Sequence, residues 1–384
     1  MDFDLPEETR ALKDLVREFA AREIAPHAAG WSENEEFPTH IFTKLGELGL
    51  MGMLVPEEYD GAGSDMVSYV AVMEELGAAD QSVASSWNAH STIGSLPLLA
   101  YGTEEQKRRW LAPLARGEAM GAFGLTEPGA GSDAAGITTT ARRDKGGWVI
   151  NGTKMFITNA GTDISQGVTL LAATGRDADG RKRYATFYVP IDTPGYTCGA
   201  KLRKLGWHAM DTRELVFQDC RIPDDHLIGE EGGGLRQFLA VLDKGRISVA
   251  ALSLSLARAA LSLAVRHAAE RRQFGRPLAD FQAIAHKIAD IGTECEAARW
   301  LVYRAAWLAD QGRPYTTEAA MAKLYASEAA NRAASEAVQI HGGYGYVRES
   351  EISRFYADAK ILEIGEGTNE IQRNVIAKAL VKRA

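Results

Sequence analysis

Apolar positions in residues 5 to about 118 recur at helical spacing. Pro6 followed by Glu7 and Glu8 suits a helix start, where acids meet the positive end of the helix dipole. Leu12, Leu15, Val16, Phe19 and Ala20 then fall at three- and four-residue intervals, which predicts one apolar face. The Gly- and Pro-containing stretch 56–64 breaks the pattern, which resumes from 65 to 77. Thr103-Glu-Glu-Gln106 has the form of a capping box ahead of Trp110 and Leu111. From about 120 the pattern changes to short β-rich runs punctuated by Gly and Pro. The clearest is Trp148-Val-Ile-Asn-Gly-Thr-Lys-Met-Phe-Ile157, where Asn151-Gly152 between apolar runs predicts a hairpin turn. Residues 184–189 and 214–217 read as further strands. Beyond about 232 the chain is Ala-rich, and 248–267 and 317–340 are almost free of Gly and Pro, as long helices require. Strands gathered between two helical blocks predict an α+β fold. The block boundaries predict domains at 1–120, 121–230 and 231–384. No internal repeat is visible.

Composition narrows the classes. The chain has 384 residues, 46% hydrophobic and 24% charged, which excludes a disordered chain, a collagen-like chain and a mini-protein. The net charge of −8 disfavours a nucleic-acid partner. The charge is uneven: residues 1–120 carry 9 basic and 21 acidic side chains, whereas the rest is close to balanced. Cys198, Cys220 and Cys295 lie far apart without metal-ligand spacing, so no metal site is expected and a reducing compartment fits. The acidic start MDFDLPEETR has no signal-peptide form, and no apolar run approaches the roughly 20 residues needed to span a bilayer. These features predict a cytoplasmic protein with no membrane partner.

Four segments carry candidate chemistry, and each also fits ordinary structure. Gly124-Leu-Thr-Glu-Pro-Gly-Ala-Gly-Ser-Asp133 lets backbone N–H groups approach an anion, or forms a simple turn. It lacks the spacing of a Rossmann fingerprint. Gln339-Ile-His-Gly-Gly-Tyr-Gly345 is a ligand loop or a double-glycine helix end. Arg271-Arg-Gln-Phe-Gly-Arg-Pro-Leu278 could bind phosphate or complement a helix C-terminus. Glu366, between two glycines, is a reactive carboxylate or a solvated loop acid.

Taken together and in this order, these segments, with Asn151-Gly-Thr-Lys-Met-Phe-Ile-Thr-Asn159, Lys204-Leu-Gly-Trp207 and Gly365-Glu-Gly-Thr-Asn-Glu-Ile-Gln-Arg373, resemble the acyl-CoA dehydrogenase flavoproteins over essentially the whole chain. The resemblance implies an N-terminal helical domain, a middle β-barrel-like domain and a C-terminal four-helix bundle. It implies a homotetramer that holds FAD at subunit interfaces. The implied reaction removes the pro-R α-proton of an acyl-CoA thioester and a β-hydride to give a trans-2-enoyl-CoA. Electrons then pass to an electron-transferring flavoprotein.

Residue roles carry over by position. Glu366 matches the catalytic base, and its backbone N–H would help to stabilise charge on the thioester oxygen. A minority of the family places the base where this chain has Gly245, which cannot serve. Thr126 and Thr158 match flavin-edge contacts, and Phe123, Leu125, Gly131 and Ser132 match the lining of the flavin and pyrophosphate. Phe156 stands where most members have Trp, with Ile157 beside it. From the partner subunit, Arg271, Gln282, Gln339, Ile340, Gly342 and Gly343 match contacts to the ADP half. Gln273, Phe274, Phe281, Thr368 and Glu370 complete the cofactor positions. Ser132, Asp243, Arg246 and Gly367 match substrate contacts. In the stretch 85–93, Trp87 could plug the acyl pocket, which predicts a short or branched acyl group. A carrier-protein-linked acyl substrate, a same-fold oxidase and, remotely, a flavin-containing DNA-binding scaffold are the rival readings.

Overall fold

The computed structural model describes residues 4–382, so Met1–Phe3 of the acidic start lie outside it. The first block folds as helices α1 (Glu7–Phe19), α2 (Ala28–Glu33), α3 (Thr39–Glu47), α4 (Met66–Ala79), α5 (Gln81–Ala89), α6 (Leu96–Tyr101), α7 (Glu104–Gln106) and α8 (Ala112–Ala115). The Thr103–Gln106 capping box forms as expected. The apolar face expected on α1 is only partly right. Val16, Phe19 and Ala20 are buried but Leu15 is 47% exposed, and Lys13 takes a buried place instead. It does so because its ammonium meets the buried Glu74 at 2.6 Å.

The middle block is an eight-stranded mixed sheet: β1 (Met120–Gly124), β2 (Thr140–Arg143), β3 (Gly147–Thr158), β4 (Ser165–Arg176), β5 (Lys182–Pro190), β6 (Tyr196–Lys201), β7 (Thr212–Pro223) and β8 (Leu227–Ile228). Strand order is β6-β7-β3-β2-β4-β5-β8, and β1 pairs in parallel with β4. The end strands β6 and β8 do not pair with each other among the described residues. The expected hairpin at Asn151-Gly152 is wrong. β3 runs straight through it, with a register irregularity against β7 between Ile150 and Gly152. A Cβ on Gly152 would lie 2.6 Å from Thr139 Cα, so glycine is there for close backbone approach. Asn151 spends its side chain on β7, accepting from Asp219 N at 2.9 Å. The turn between β2 and β3 is at Asp144–Gly147 instead, with Lys145 and Gly146 both at positive φ.

The last block contains α9 (Gly234–Glu270), the two-stranded β9 (Arg272–Gln273) and β10 (Arg276–Pro277), then α10 (Gln282–Asp310), α11 (Thr316–His341), α12 (Glu351–Ala359) and α13 (Asn369–Val381). The sequence pattern singled out parts of α9 and α11 but not α10, although Ile291, Cys295, Ala298, Val302 and Ala305 form one buried apolar face there. Buried alanines line the bundle at three- and four-residue intervals, Ala319, Ala322, Ala326, Ala330, Ala333 and Ala337 on α11 among them. Such small side chains let helices pack closely. An 18-residue window of α9 has mean hydropathy 1.7, enough by length and composition to cross a membrane, contrary to the sequence expectation. It is 83% buried within the protein, so it reads as a core helix. One core joins α1, α4 and α5 to α9, α10 and α11. A second fills the sheet, and Phe123 stacked on Phe238 at 4.2 Å ties β1 to α9.

Candidate active site

Glu366 lies in the turn before α13 with φ +52°, a left-handed conformation that non-glycine residues rarely adopt. Gly367 follows at φ +94°, where only glycine is at ease. The turn is pinned at its far side: Gln372 Nε2 donates to the Gly367 carbonyl at 2.8 Å, and Thr368 caps α13. As a residue Glu366 is half-buried, but its Oε2 is out of reach of solvent and has no hydrogen-bond partner. That oxygen points at α9, where a Cβ on Gly245 would lie 2.0 Å away. The absent side chain of Gly245 is therefore what makes room for this carboxylate.

Burial is the main influence on Glu366, and it raises the carboxyl pKa to about 7; Lys323, Arg246 and Asn88 oppose it. Asn88 Nδ2 approaches Glu366 Oε1 at 3.3 Å. Lys323 is buried on α11, donates to Asn369 Oδ1 at 2.9 Å, and is held near 8 by desolvation. Arg246 donates to Asp243 Oδ1 at 2.5 Å, and Asp243 Oδ2 accepts from Thr316 at 2.7 Å. A carboxylate raised to near neutrality, with one buried and unpartnered oxygen, is equipped to take a proton from a weak carbon acid.

The structure thus brings Glu366, Gly367, Asp243 and Arg246 together. Thr368 serves as a helix cap, and Glu370 is exposed on the first turn of α13. Asn88, Tyr69 and Lys323 were missed by sequence reasoning. Lys323 did leave a signal, a cation at a position that continues the alanine stripe of α11. The polar Asn88 beside Trp87 left only a weak one.

A second region holds the positions matched to the cofactor. Beyond β1, Leu125 O accepts from Lys154 Nζ at 3.0 Å and Thr126 O accepts from Met155 N at 2.8 Å. The buried Glu127–Lys154 pair, 2.9 Å apart, and the Thr138 and Thr139 N–H groups anchor the loop. Gly131 and Ser132 are exposed beyond it, and a Cβ on Gly129 or Gly131 would meet nothing within 4 Å. On β3 an irregularity between Lys154 and Ile157 swings Phe156 outward at φ +62° and 65% exposure. An open glycine loop with an outward aromatic ring, between half-buried Thr126 and Thr158, fits a planar ring system with a phosphate tail. Phe123 and Ile157, by contrast, turn into the core, so only their backbones are available.

The remaining cofactor positions cluster at the end of the bundle. The β9–β10 turn presents Phe274 at 93% exposure, close to the half-buried Phe281. Arg271 lies over the Tyr344 ring at 5.6 Å, and His267 stacks on His341 at 4.2 Å, joining the ends of α9 and α11. Gln273, Gln282, Gln339, Gly342 and Gly343 are exposed there, whereas Ile340 is buried.

Three family models match in order: the acyl-CoA dehydrogenase N-terminal domain over residues 6–118, the middle domain over 122–220 and the C-terminal domain over 232–381. The chain belongs to the acyl-CoA dehydrogenase family. It is 48% identical over 382 residues to the probable acyl-CoA dehydrogenase YngJ of Bacillus subtilis, covering 100% of both chains. It is 47% identical to the mitochondrial short-chain specific acyl-CoA dehydrogenase of Bos taurus, over 99% of this chain and 91% of that one. The butyryl-CoA dehydrogenase of Megasphaera elsdenii superposes with a TM-score of 0.95 at 41% identity, over 99% and 100% of the two chains. The enzyme is accordingly an FAD-dependent oxidoreductase acting on CH–CH groups.

Proposed function

We propose that this acyl-CoA dehydrogenase converts a short-chain acyl-CoA, of about the length of butyryl-CoA, into its trans-2-enoyl-CoA, with Glu366 as the base. The supporting observation is the Glu366 carboxylate itself, raised to about 7 with Oε2 buried, unpartnered and facing Gly245. Glu366 takes the α-proton of the thioester; Asp243, Arg246 and Gly367 lie where the substrate is expected to bind. Thr126, Thr158, Phe156 and the 129–132 loop would hold FAD, which when bound supplies the acceptor for the β-hydride. The short-chain reading is supported by the likeness to the short-chain specific and butyryl-CoA dehydrogenases. Trp87 is fully buried, with its indole N–H on the Leu50 carbonyl at 2.9 Å and its ring stacked on Tyr69.

We further infer a cytoplasmic homotetramer that passes its electrons to an electron-transferring flavoprotein. The exposed surface of 17148 Å² exceeds the roughly 15,000 Å² of a monomer of this mass, as for a subunit with faces left to cover. Anaerobic titration of the purified enzyme with butyryl-, isobutyryl- and octanoyl-CoA tests the reading. Butyryl-CoA is expected to bleach the flavin absorbance. A preference for octanoyl-CoA overturns the chain length, a preference for isobutyryl-CoA gives a branched substrate, and no response to any free thioester gives a carrier-bound one.

A further inference from the structure

Beside Glu366 runs a short hydrogen-bonded chain that none of the recognised motifs contains. Tyr69 on α4 is completely buried, and its hydroxyl donates to Asn88 Oδ1 at 2.9 Å. Asn88 on α5 is 3% exposed, and its Nδ2 donates to Glu366 Oε1 at 3.3 Å. Chemistry decides which way the amide faces. The carboxylate can only accept, so it takes the NH₂ group, and the tyrosine hydroxyl donates to the amide oxygen. Tyr69 is held in its turn by packing: its ring stacks on Trp87 at 4.5 Å, and Trp87 is anchored to Leu50.

The two oxygens of Glu366 are therefore unequal. Oε1 has a donor; Oε2 has none and is buried against Gly245. We propose that Asn88, locked by Tyr69, is a positioning residue for Glu366: it holds Oε1 and thereby makes Oε2 the oxygen that receives the substrate proton. The inference rests on the reading of Glu366 as the base. In the step, the substrate's α-C–H bond breaks, an O–H bond forms at Oε2, and the electron pair stays on the thioester. Asn88 keeps both its protons throughout.

The same donor favours the ionised carboxylate. Three other ionisable groups face Glu366: Lys323 from α11 and Arg246 from α9, which act in the same direction, and Tyr69 from α4, which stays neutral because burial and the carboxylate charge push it far up. Removing the Asn88 donor leaves burial less opposed, so the base should hold its proton to higher pH.

The test is the pH dependence of kcat/KM for butyryl-CoA in holoenzyme carrying Asn88→Leu, Tyr69→Phe or Glu366→Gln. Exchange of the substrate α-hydrogen in D₂O, followed by NMR, reads proton removal separately from flavin reduction. Asn88→Leu is expected to move the acid limb up by about one unit, an activity about tenfold lower near pH 6 but within about threefold near pH 9. Tyr69→Phe, which frees the amide to turn, is expected to shift it the same way by less. Profiles that superimpose on the parent's, or that fall equally at every pH, overturn the proposal. If Asn88→Leu does not fold, Tyr69→Phe decides alone by the direction of its shift. Undiminished exchange in Glu366→Gln overturns the base reading instead.

Discussion

At the scale of single residues the site is an argument about two neighbours, Glu366 and Gly245. Glu366→Gln keeps the shape and loses the base. Its kcat is expected to fall by about 10²–10⁴-fold while flavin remains bound, which stopped-flow absorbance checks. The same variant carries a stability signature. The folded carboxyl holds its proton up to about pH 7, the unfolded one only to about 4.5. Between those values the unfolded chain releases a proton that the folded chain keeps, so stability falls as pH rises through the window and stays lowered above it. Glu366→Gln is therefore expected to be the more stable protein above pH 7, by on the order of 2 kcal/mol after allowing for partial exposure, and equal to the parent below about pH 4. Urea melts at several pH values would show it. Gly245→Ala places a methyl 2.0 Å from the present position of Oε2. The carboxylate must move while the helix gains a good helix former. Activity is expected to fall about 10²-fold with the melting temperature little changed.

At the scale of elements, local signals were read correctly where the backbone answered only to itself. The Thr103 capping box and the helical stretches within α4, α9 and α11 are of that kind. Asn151-Gly152 misled because the same dipeptide serves a tight turn or a close strand contact, and Thr139 on the neighbouring chain segment decided for the second. The loop after β1 shows how an element positions a site from below. Burial pushes Glu127 up, yet hydrogen bonds from Thr139 and Lys154 more than offset it and hold the carboxyl near 2. Lys154→Met strands that charge in the core. It is expected to cost about 3–5 kcal/mol in denaturant melts and to weaken retention of FAD on dilution. Unchanged stability would show that the pair does not anchor the loop.

At the scale of the whole molecule, the exposed aromatics at the end of the bundle ask for a partner. Phe274 at 93%, Tyr346 at 88% and Tyr344 at 63% exposure lie in the β9–β10 turn and just after α11, with Arg271 over the Tyr344 ring. Aromatic and arginine side chains of this kind anchor protein interfaces. If the proposed tetramer uses this face, Phe274→Asp is expected to shift sedimentation to smaller species and to lose flavin together with assembly. A variant that stays tetrameric would remove Phe274 from the interface.

The sequence by itself determined the α+β class and the order of helical and β blocks, because these depend on periodicity, and it named the candidate base through the family resemblance that its contiguous motifs carry. The charge state of that base was beyond it. Tyr69, Asn88, Gly245, Lys323 and Glu366 are spread over nearly 300 residues, and only packing of α4, α5, α9 and α11 around one turn sets the burial and the hydrogen bond that place the carboxylate near neutrality. A pKa is a property of surroundings, and surroundings exist only once the chain is folded.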